Sequence, residues 1–170
     1  MVAHEAAGDG EQEFLLLVDP ILPLAHRLAV GLLRSHMDAE DAVQSALLNA
    51  WRNFGRFRRG SDLKPWLLTI VANECRRQRR NRWWSVIKGP AAYERRSEPS
   101  PGIDPEIADL RRALYRLPYD MRLAVILRFY LDLSFEEVAQ TTGISTKAAK
   151  SRTYRALERL RLSPEVQPDE

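Results

Sequence analysis

Five polar side chains fall within nine residues near one end of the chain: Lys147, Lys150, Ser151, Arg152 and Arg155. Their chemistry is polyanion recognition. An arginine guanidinium reads guanine through two hydrogen bonds, while lysine and serine often hold phosphates. A second basic zone lies upstream, where Arg52 to Arg96 holds thirteen Lys or Arg against Asp62, Glu74 and Glu94. Gly143 to Leu162 holds six against Glu158 alone, whereas residues 1–20 carry five acids and no Lys or Arg. The net charge of +3 hides this segregation. Two arginine-dominated zones point to two polyanion contacts.

The same inventory argues against catalysis. No paired carboxylates or nucleophile–base pair fall in a plausible cleft. His4, His26 and His36 are scattered, and Cys75 is the single cysteine. No internal disulfide, metal site or cofactor is therefore expected. No apolar run approaches ~18 residues, so no membrane span is predicted. The acidic start differs from the basic start of a signal peptide. A reduced, cytoplasmic setting is expected.

The C-terminal cluster needs a rigid mount, and the preceding residues predict one. Ser134 and Glu137 make an S-x-x-E capping box. Gly143 suits a tight turn with positive φ. Small Ala139 lets two helices cross closely, Ile144 plugs the angle, and Ser145 or Thr146 caps the second helix. Ala148, Ala149, Tyr154, Leu157 and Leu160 fall on or near its inward side, leaving the five polar residues outward. This is helix-turn-helix spacing, and such a second helix fits the major groove. Tyr154 is also counted among the candidate DNA contacts.

The rest of the chain reads as helical, without strand-like alternation. Residues 1–10 are expected to be a disordered tail. Pro20 and Pro23 split the next stretch into helices over about 11–19 and 21–35. Another helix starts near Asp38, whose side chain caps it, with Glu40 and Asp41 at the positive end of the dipole. Its stripe is Val43, Leu47, Ala50 and Trp51. A basic loop follows, from Arg52 to Asp62. Pro65 suits the first turn of a long helix ending in the Arg76–Arg82 run. Trp83 and Trp84 are read as a cap on this first domain. Residues 85–104 lose the apolar period and contain Gly89, Pro90, Pro99, Pro101 and Gly102, the pattern of a linker. Ile107, Leu110, Leu114 and Leu117 then form one stripe, and Pro118 starts a helix with Met121, Val125, Ile126 and Phe129. The fold class is all-α: two small helical domains, 11–84 and 105–162, joined by a flexible linker, with a second disordered tail over 163–170.

At this point the residues resemble a known family. Asp38-Ala39-Glu40-Asp41-Ala42-Val43-Gln44, Trp51, and Lys64-Pro65-Trp66 through Asn73 carry the likeness in the first half. Leu117-Pro118, Arg122, Leu127-Arg128-Phe129-Tyr130, Leu133 through Ala139, Lys150-Ser151-Arg152 and Arg155-Ala156-Leu157 carry it in the second. Over about 11–161 the chain resembles a sigma-70 family RNA polymerase sigma factor of the extracytoplasmic-function group. The resemblance implies that 11–84 is region 2, which docks on the polymerase clamp and opens the −10 element. It implies that 105–162 is region 4, a helix-turn-helix domain of the winged-helix-like superfamily, which binds the polymerase flap and reads the −35 element. Carried over by position, Asp38, Glu40, Asp41, Gln44 and Leu48 would touch core polymerase. Asn73, Arg76, Arg77 and Arg80 would touch −10 DNA; Phe54 and Phe57 lie in the loop matching the family's base-capturing loop, and packing into the core is an equal reading for both. Lys147, Lys150, Ser151, Arg152, Tyr154 and Arg155 would meet the −35 element. Partners would be core polymerase, promoter DNA and an anti-sigma factor. The chain departs from the family at Lys147-Ala148-Ala149, where Gly-Thr-Val is common, leaving a smaller side chain at Ala149. The competing expectation is a helix-turn-helix regulator that is not a sigma subunit; the Asp38–Gln44 surface argues against it.

Overall fold

The computed structural model describes residues 2–58, 60–88 and 105–166, with side chains for 10–58, 60–82 and 107–166. Helices account for nearly all of it: α1 (Val2–Val18), α2 (Leu22–Leu32), α3 (His36–Asn53), α4 (Leu63–Lys88), α5 (Pro105–Arg116), α6 (Tyr119–Val125), α7 (Phe135–Thr142) and α8 (Thr146–Arg161). No strand occurs among the described residues.

Pro20 and Pro23 act as expected: a 3-10 turn over Asp19–Ile21 separates α1 from α2. Helix α1 begins earlier than the sequence suggests, at Val2. Ala3, Ala6 and Ala7 favour helix, and no proline interrupts them. Helix α3 also starts earlier. Ser35, not Asp38, is its N-cap, with the hydroxyl accepting from the Asp38 amide at 3.3 Å. Two good capping residues stand three apart; the upstream one caps, and the Asp38 carboxylate pairs with Arg82. Helix α4 runs to Lys88, four residues into the expected linker. The Trp83 and Trp84 side chains lie outside the described residues, as does the stretch 89–104.

By length and composition, Gly10–Leu32 is apolar enough to cross a membrane, with a mean hydropathy of 1.6. In the fold it is instead broken at the proline turn, and Phe14, Val18, Ile21, Ala25, Leu28 and Leu32 face the core. Helices α2, α3 and α4 pack together through Leu28, Leu32, Ala42, Val43, Ala46, Leu67, Leu68 and Val71. The alanines on α3 allow close helix approach. The same core continues into the C-terminal half, through Leu123, Ile126, Leu127, Leu131, Leu133 and Val138. A smaller cluster of Ala113, Leu117, Val125, Ala156 and Leu160 joins α5, α6 and α8.

The expected α5 stripe is only half right. Leu117 is buried, but Ile107 and Leu110 are exposed. Beyond α6 the chain forms a π-turn over Ile126–Tyr130, with the Leu131 amide bonded to the Ile126 carbonyl five residues back. The wider turn breaks the 3.6-residue register, and Phe129, grouped with Met121, Val125 and Ile126 in the sequence, is 54% exposed while Val125 and Ile126 are buried. The expected C-terminal tail is likewise partly tied down: Glu165 pairs with Arg116 and accepts from the Ser163 hydroxyl.

Candidate nucleic-acid interface

The helix-turn-helix is built from local chemistry. The Ser134 hydroxyl accepts from the Glu137 amide at 3.2 Å, and the Glu137 carboxylate accepts from the Ser134 amide at 2.8 Å. Both arms of the capping box are present, so two otherwise orphaned amides of α7 are satisfied. Gly143 has φ 68°, the left-handed conformation that an L side chain resists. The Ser145 hydroxyl then caps α8 by accepting from the Ala148 amide. Ala149, Thr153, Ala156 and Leu160 are the buried edge of α8.

The opposite edge of α8 faces solvent. Lys147, Lys150, Ser151, Tyr154 and Arg155 are exposed and Arg152 is half-buried. Tyr154, expected on or near the inward side, stands outside with its ring 6.1 Å from that of Phe135. Lys150 lies over the same Phe135 ring at 5.6 Å. None of Lys147, Lys150, Arg152 or Arg155 forms an ion pair among the described residues. The smaller Ala149 is fully buried, so the helix still seats.

The second basic surface is different. Asn73, Arg76, Arg77 and Arg80 recur at helical spacing on one exposed face of α4. Two of these arginines are already engaged. Arg76 pairs with Asp120 and stacks over Tyr119 at 4.8 Å, and Arg77 donates to Glu74 at 2.8 Å. Near the start of α4, Lys64 pairs with Glu137. That pairing and the Ser134 amide hold the Glu137 carboxyl below the usual glutamate value.

Phe54 and Phe57 are half-buried in an aromatic file. The Phe54 ring meets Phe14 at 5.1 Å and Phe57 at 6.2 Å, and Phe57 meets Trp66 at 5.1 Å. Both rings line a cleft of about 610 Å³, together with Leu17, Ser61, Asp62 and Lys64. Trp51 stacks on Phe54 but stays partly exposed.

On α3, Asp41, Gln44 and Leu48 share one solvent-facing row, with Glu40 beside it. Leu48 is 58% exposed, an apolar side chain held in water between polar neighbours. Asp38 lies one turn before Asp41 on the same side of the helix, half-buried and paired with Arg82.

Sequence reasoning missed the residues that join the two halves. The Tyr115 hydroxyl donates to the Leu33 carbonyl at 2.7 Å, and the Tyr119 hydroxyl to the Ala72 carbonyl at 2.5 Å. The Thr69 hydroxyl reaches the Thr141 carbonyl at 2.8 Å. Arg122, quoted only for its family likeness, is 2% exposed. It donates to Tyr115, Leu117 and Leu32 carbonyls at 2.9, 3.2 and 3.3 Å. Burial and the charge of Arg79 pull its pKa down to about 10, so it stays charged at neutral pH. A lone arginine in a predicted helix gives no local signal of such a role.

Two family matches divide the chain. Sigma-70 region 2 matches residues 17–85, and Sigma-70, region 4 matches 107–160. The chain is 34% identical over 141 residues to the ECF RNA polymerase sigma factor EcfG of Rhodopseudomonas palustris, covering 82% of this chain and 78% of that one. It is 36% identical over 144 residues to the RNA polymerase sigma factor CarQ of Myxococcus xanthus, covering 82% of each. Among solved structures, the sigma factor RpoE of Bartonella quintana, crystallised with the anti-sigma factor NepR, superposes with a TM-score of 0.67 at 34% identity. That match covers 91% of this chain and 95% of the other.

Proposed function

The chain belongs to the sigma-70 family of RNA polymerase sigma factors, in the extracytoplasmic-function group, and from that premise we propose a division of labour among its surfaces. The protein is a promoter-recognition subunit that acts with core RNA polymerase in transcription initiation; it is not an enzyme. The first domain, over 11–84, takes the polymerase clamp and the −10 element, and the second, over 105–162, takes the flap and the −35 element. Helix α8 lies in the major groove at the −35 element, with Lys147, Lys150, Ser151, Arg152, Tyr154 and Arg155 facing DNA. The α4 row of Asn73, Arg76, Arg77 and Arg80 follows the −10 strand. Arginines track phosphate there, and Asn73 is placed to read a base edge.

The cleft beside Phe54 and Phe57 takes an unstacked base, for which the two rings supply a stacking surface. The α3 row of Glu40, Asp41, Gln44 and Leu48 docks on the clamp, and exposed Leu48 is the apolar anchor of that contact. Asp38, paired with Arg82, stands at the N-terminal end of the same row and is assigned to that contact with it. A cytoplasmic location follows from work on promoters. An anti-sigma partner is expected, as NepR is for the Bartonella relative.

The observation that carries this reading is the exposed basic edge of α8, with no carboxylate partner among the described residues, on a rigidly capped helix-turn-helix. Two weak DNA contacts on one polymerase gain from effective concentration, so isolated affinity is low and salt-dependent. Capture of core polymerase by immobilised chain tests the docking row. Asp41→Ala or Gln44→Ala weakens capture and leaves −35 duplex binding as it was. Undiminished capture by both would remove the row from the docking surface.

A further inference from the structure

The reading edge of α8 has a support that lies outside α8. Phe135 opens α7, one residue after the Ser134 cap, and its half-buried ring borders two side chains of that edge. Lys150 lies over the ring, its Nζ 5.6 Å from the centroid, and the Tyr154 ring packs against it at 6.1 Å and 42°. We propose that Phe135 is a positioning residue for the −35 element: its ring holds Lys150 and Tyr154 in the pose in which they meet DNA, and it acts through them. This role rests on the reading of α8 as the −35 surface.

The ring itself is fixed from two directions. The capping box sets the first turn of α7, which fixes where the Phe135 Cβ points. Upstream, the chain leaves the π-turn through Leu131 and Asp132. Asp132 takes φ 55°, and the Leu133 amide returns to the Leu127 carbonyl at 3.0 Å. Arg128, on the π-turn, donates to the Leu133 carbonyl at 3.3 Å and pairs with Asp132 at 3.3 Å. Its guanidinium lies over Phe135 at 5.4 Å and over Phe129 at 5.5 Å. Arg128 thus braces the ring from the turn, and the ring braces the edge of α8.

Lys150 and Tyr154 stand one helical turn apart on α8, so one ring reaches both. Both are exposed, and Lys150 has no carboxylate partner among the described residues. A lysine side chain in water samples many rotamers and loses that freedom when it meets a phosphate. The face of an aromatic ring attracts the ammonium group, so part of that loss is taken before DNA arrives. The Tyr154 ring, tilted against Phe135, is pinned in the same way. Its edge is then presented at a fixed place for an apolar contact such as a thymine methyl. Through Lys150 the support adds affinity on any sequence, and through Tyr154 it adds discrimination at a base pair.

The experiment compares the full chain with Phe135→Leu, which keeps an apolar side chain but removes the ring, and Phe135→Tyr, which keeps the ring. Circular dichroism checks that each retains its helix content. Binding is read in low salt with a short fluorescent duplex bearing the −35 element of a promoter selected from genomic DNA. Phe135→Leu is expected to weaken binding about threefold, the worth of one exposed cation–π contact, and Phe135→Tyr to recover that loss. In a chain already carrying Lys150→Met and Tyr154→Ala, Phe135→Leu is expected to cost nothing more, whereas a merely structural role would cost the same in both backgrounds. The free chain gives an independent reading by NMR. The Phe135 ring current shifts the Lys150 ε-methylene protons upfield, and Phe135→Leu removes that shift. Undiminished binding by Phe135→Leu, an equal loss in both backgrounds, or unshifted Lys150 protons in the parent chain overturns the proposal. If Lys150→Met and Tyr154→Ala together leave duplex binding intact, the −35 reading of α8 fails and the positioning role falls with it.

Discussion

Helices α8 and α4 are both basic, and both carry a row of cations at helical spacing, but their surroundings differ. On α8, no described cation in the row has a carboxylate partner; the turn beneath it is set by the local caps at Ser134 and Ser145, while Ala156 and Leu160 seat the helix on α5 and α6. On α4, Arg76 and Arg77 hold acids of the same chain, and one of those acids comes from the other half. A surface fixed by local capping can stay exposed without a partner. A surface crossed by long-range contacts has part of its charge already answered within the chain. The difference teaches that net positive charge on a helix does not measure its readiness for DNA; the counter-charges already present do.

The strongest way to break this contrast is to remove Arg122. Arg122→Ala leaves the Tyr115 and Leu117 carbonyls without their buried donor and opens a cavity, and it should destabilise the chain by about 3 kcal/mol. Urea unfolding measures this. A loss within experimental scatter would show that the C-terminal half is held by something else. Next comes the exposed helix. Arg155→Ala should weaken −35 duplex binding by about 2 kcal/mol, roughly thirtyfold, with little effect on unfolding because the side chain is exposed and its hydrogen bond among the described residues is a long one, to the Ser151 carbonyl at 3.4 Å. Equal duplex affinity in a gel-shift titration would take Arg155 out of the interface.

A smaller effect sharpens the local side of the comparison. Gly143→Ala has open space for its methyl group but must adopt φ 68°. The strain should cost about 1 kcal/mol, read as a lower Tm, while strand binding by α4 stays as it was. The least effect belongs to the Lys64–Glu137 pair. The Glu137 pKa is lowered from its ordinary 4.5, first by Lys64 and then by the Ser134 amide. Its stabilisation is therefore present above pH 4.5 and is lost as pH falls through the lowered folded value, because the unfolded chain binds more protons there. Lys64→Ala should lose less stability than the parent chain on acidification through that window. Parallel acid profiles would assign the pair no role.

Legibility followed the same divide. The helix-turn-helix could be read from the sequence because Ser134, Glu137, Gly143 and Ser145 act within a few residues of themselves. The proline turn at Asp19–Ile21 was legible for the same reason. The start of α3 was misplaced because Ser35 and Asp38 are both good caps three residues apart, and the pairing of Asp38 with distant Arg82 leaves no local signal. Helix α4 outran its expected end because Gly89 and Pro90 made the preceding residues look like linker. The exposure of Phe129 was not legible because a 3.6-residue period cannot foresee a π-turn. Of the candidate site, the rows on α8, α4 and α3 were legible as spacing. The pairing of Arg76 with Asp120 was not, because Asp120 and Tyr119 are far away in sequence and are ordinary residues at a helix start.

Transcription by purified core polymerase, on promoters selected from genomic DNA with the chain present, tests the central claim most directly. The account predicts transcripts that require the chain and fall sharply with Gln44→Ala or Arg155→Ala. Equal transcription from those promoters by core polymerase alone would contradict it.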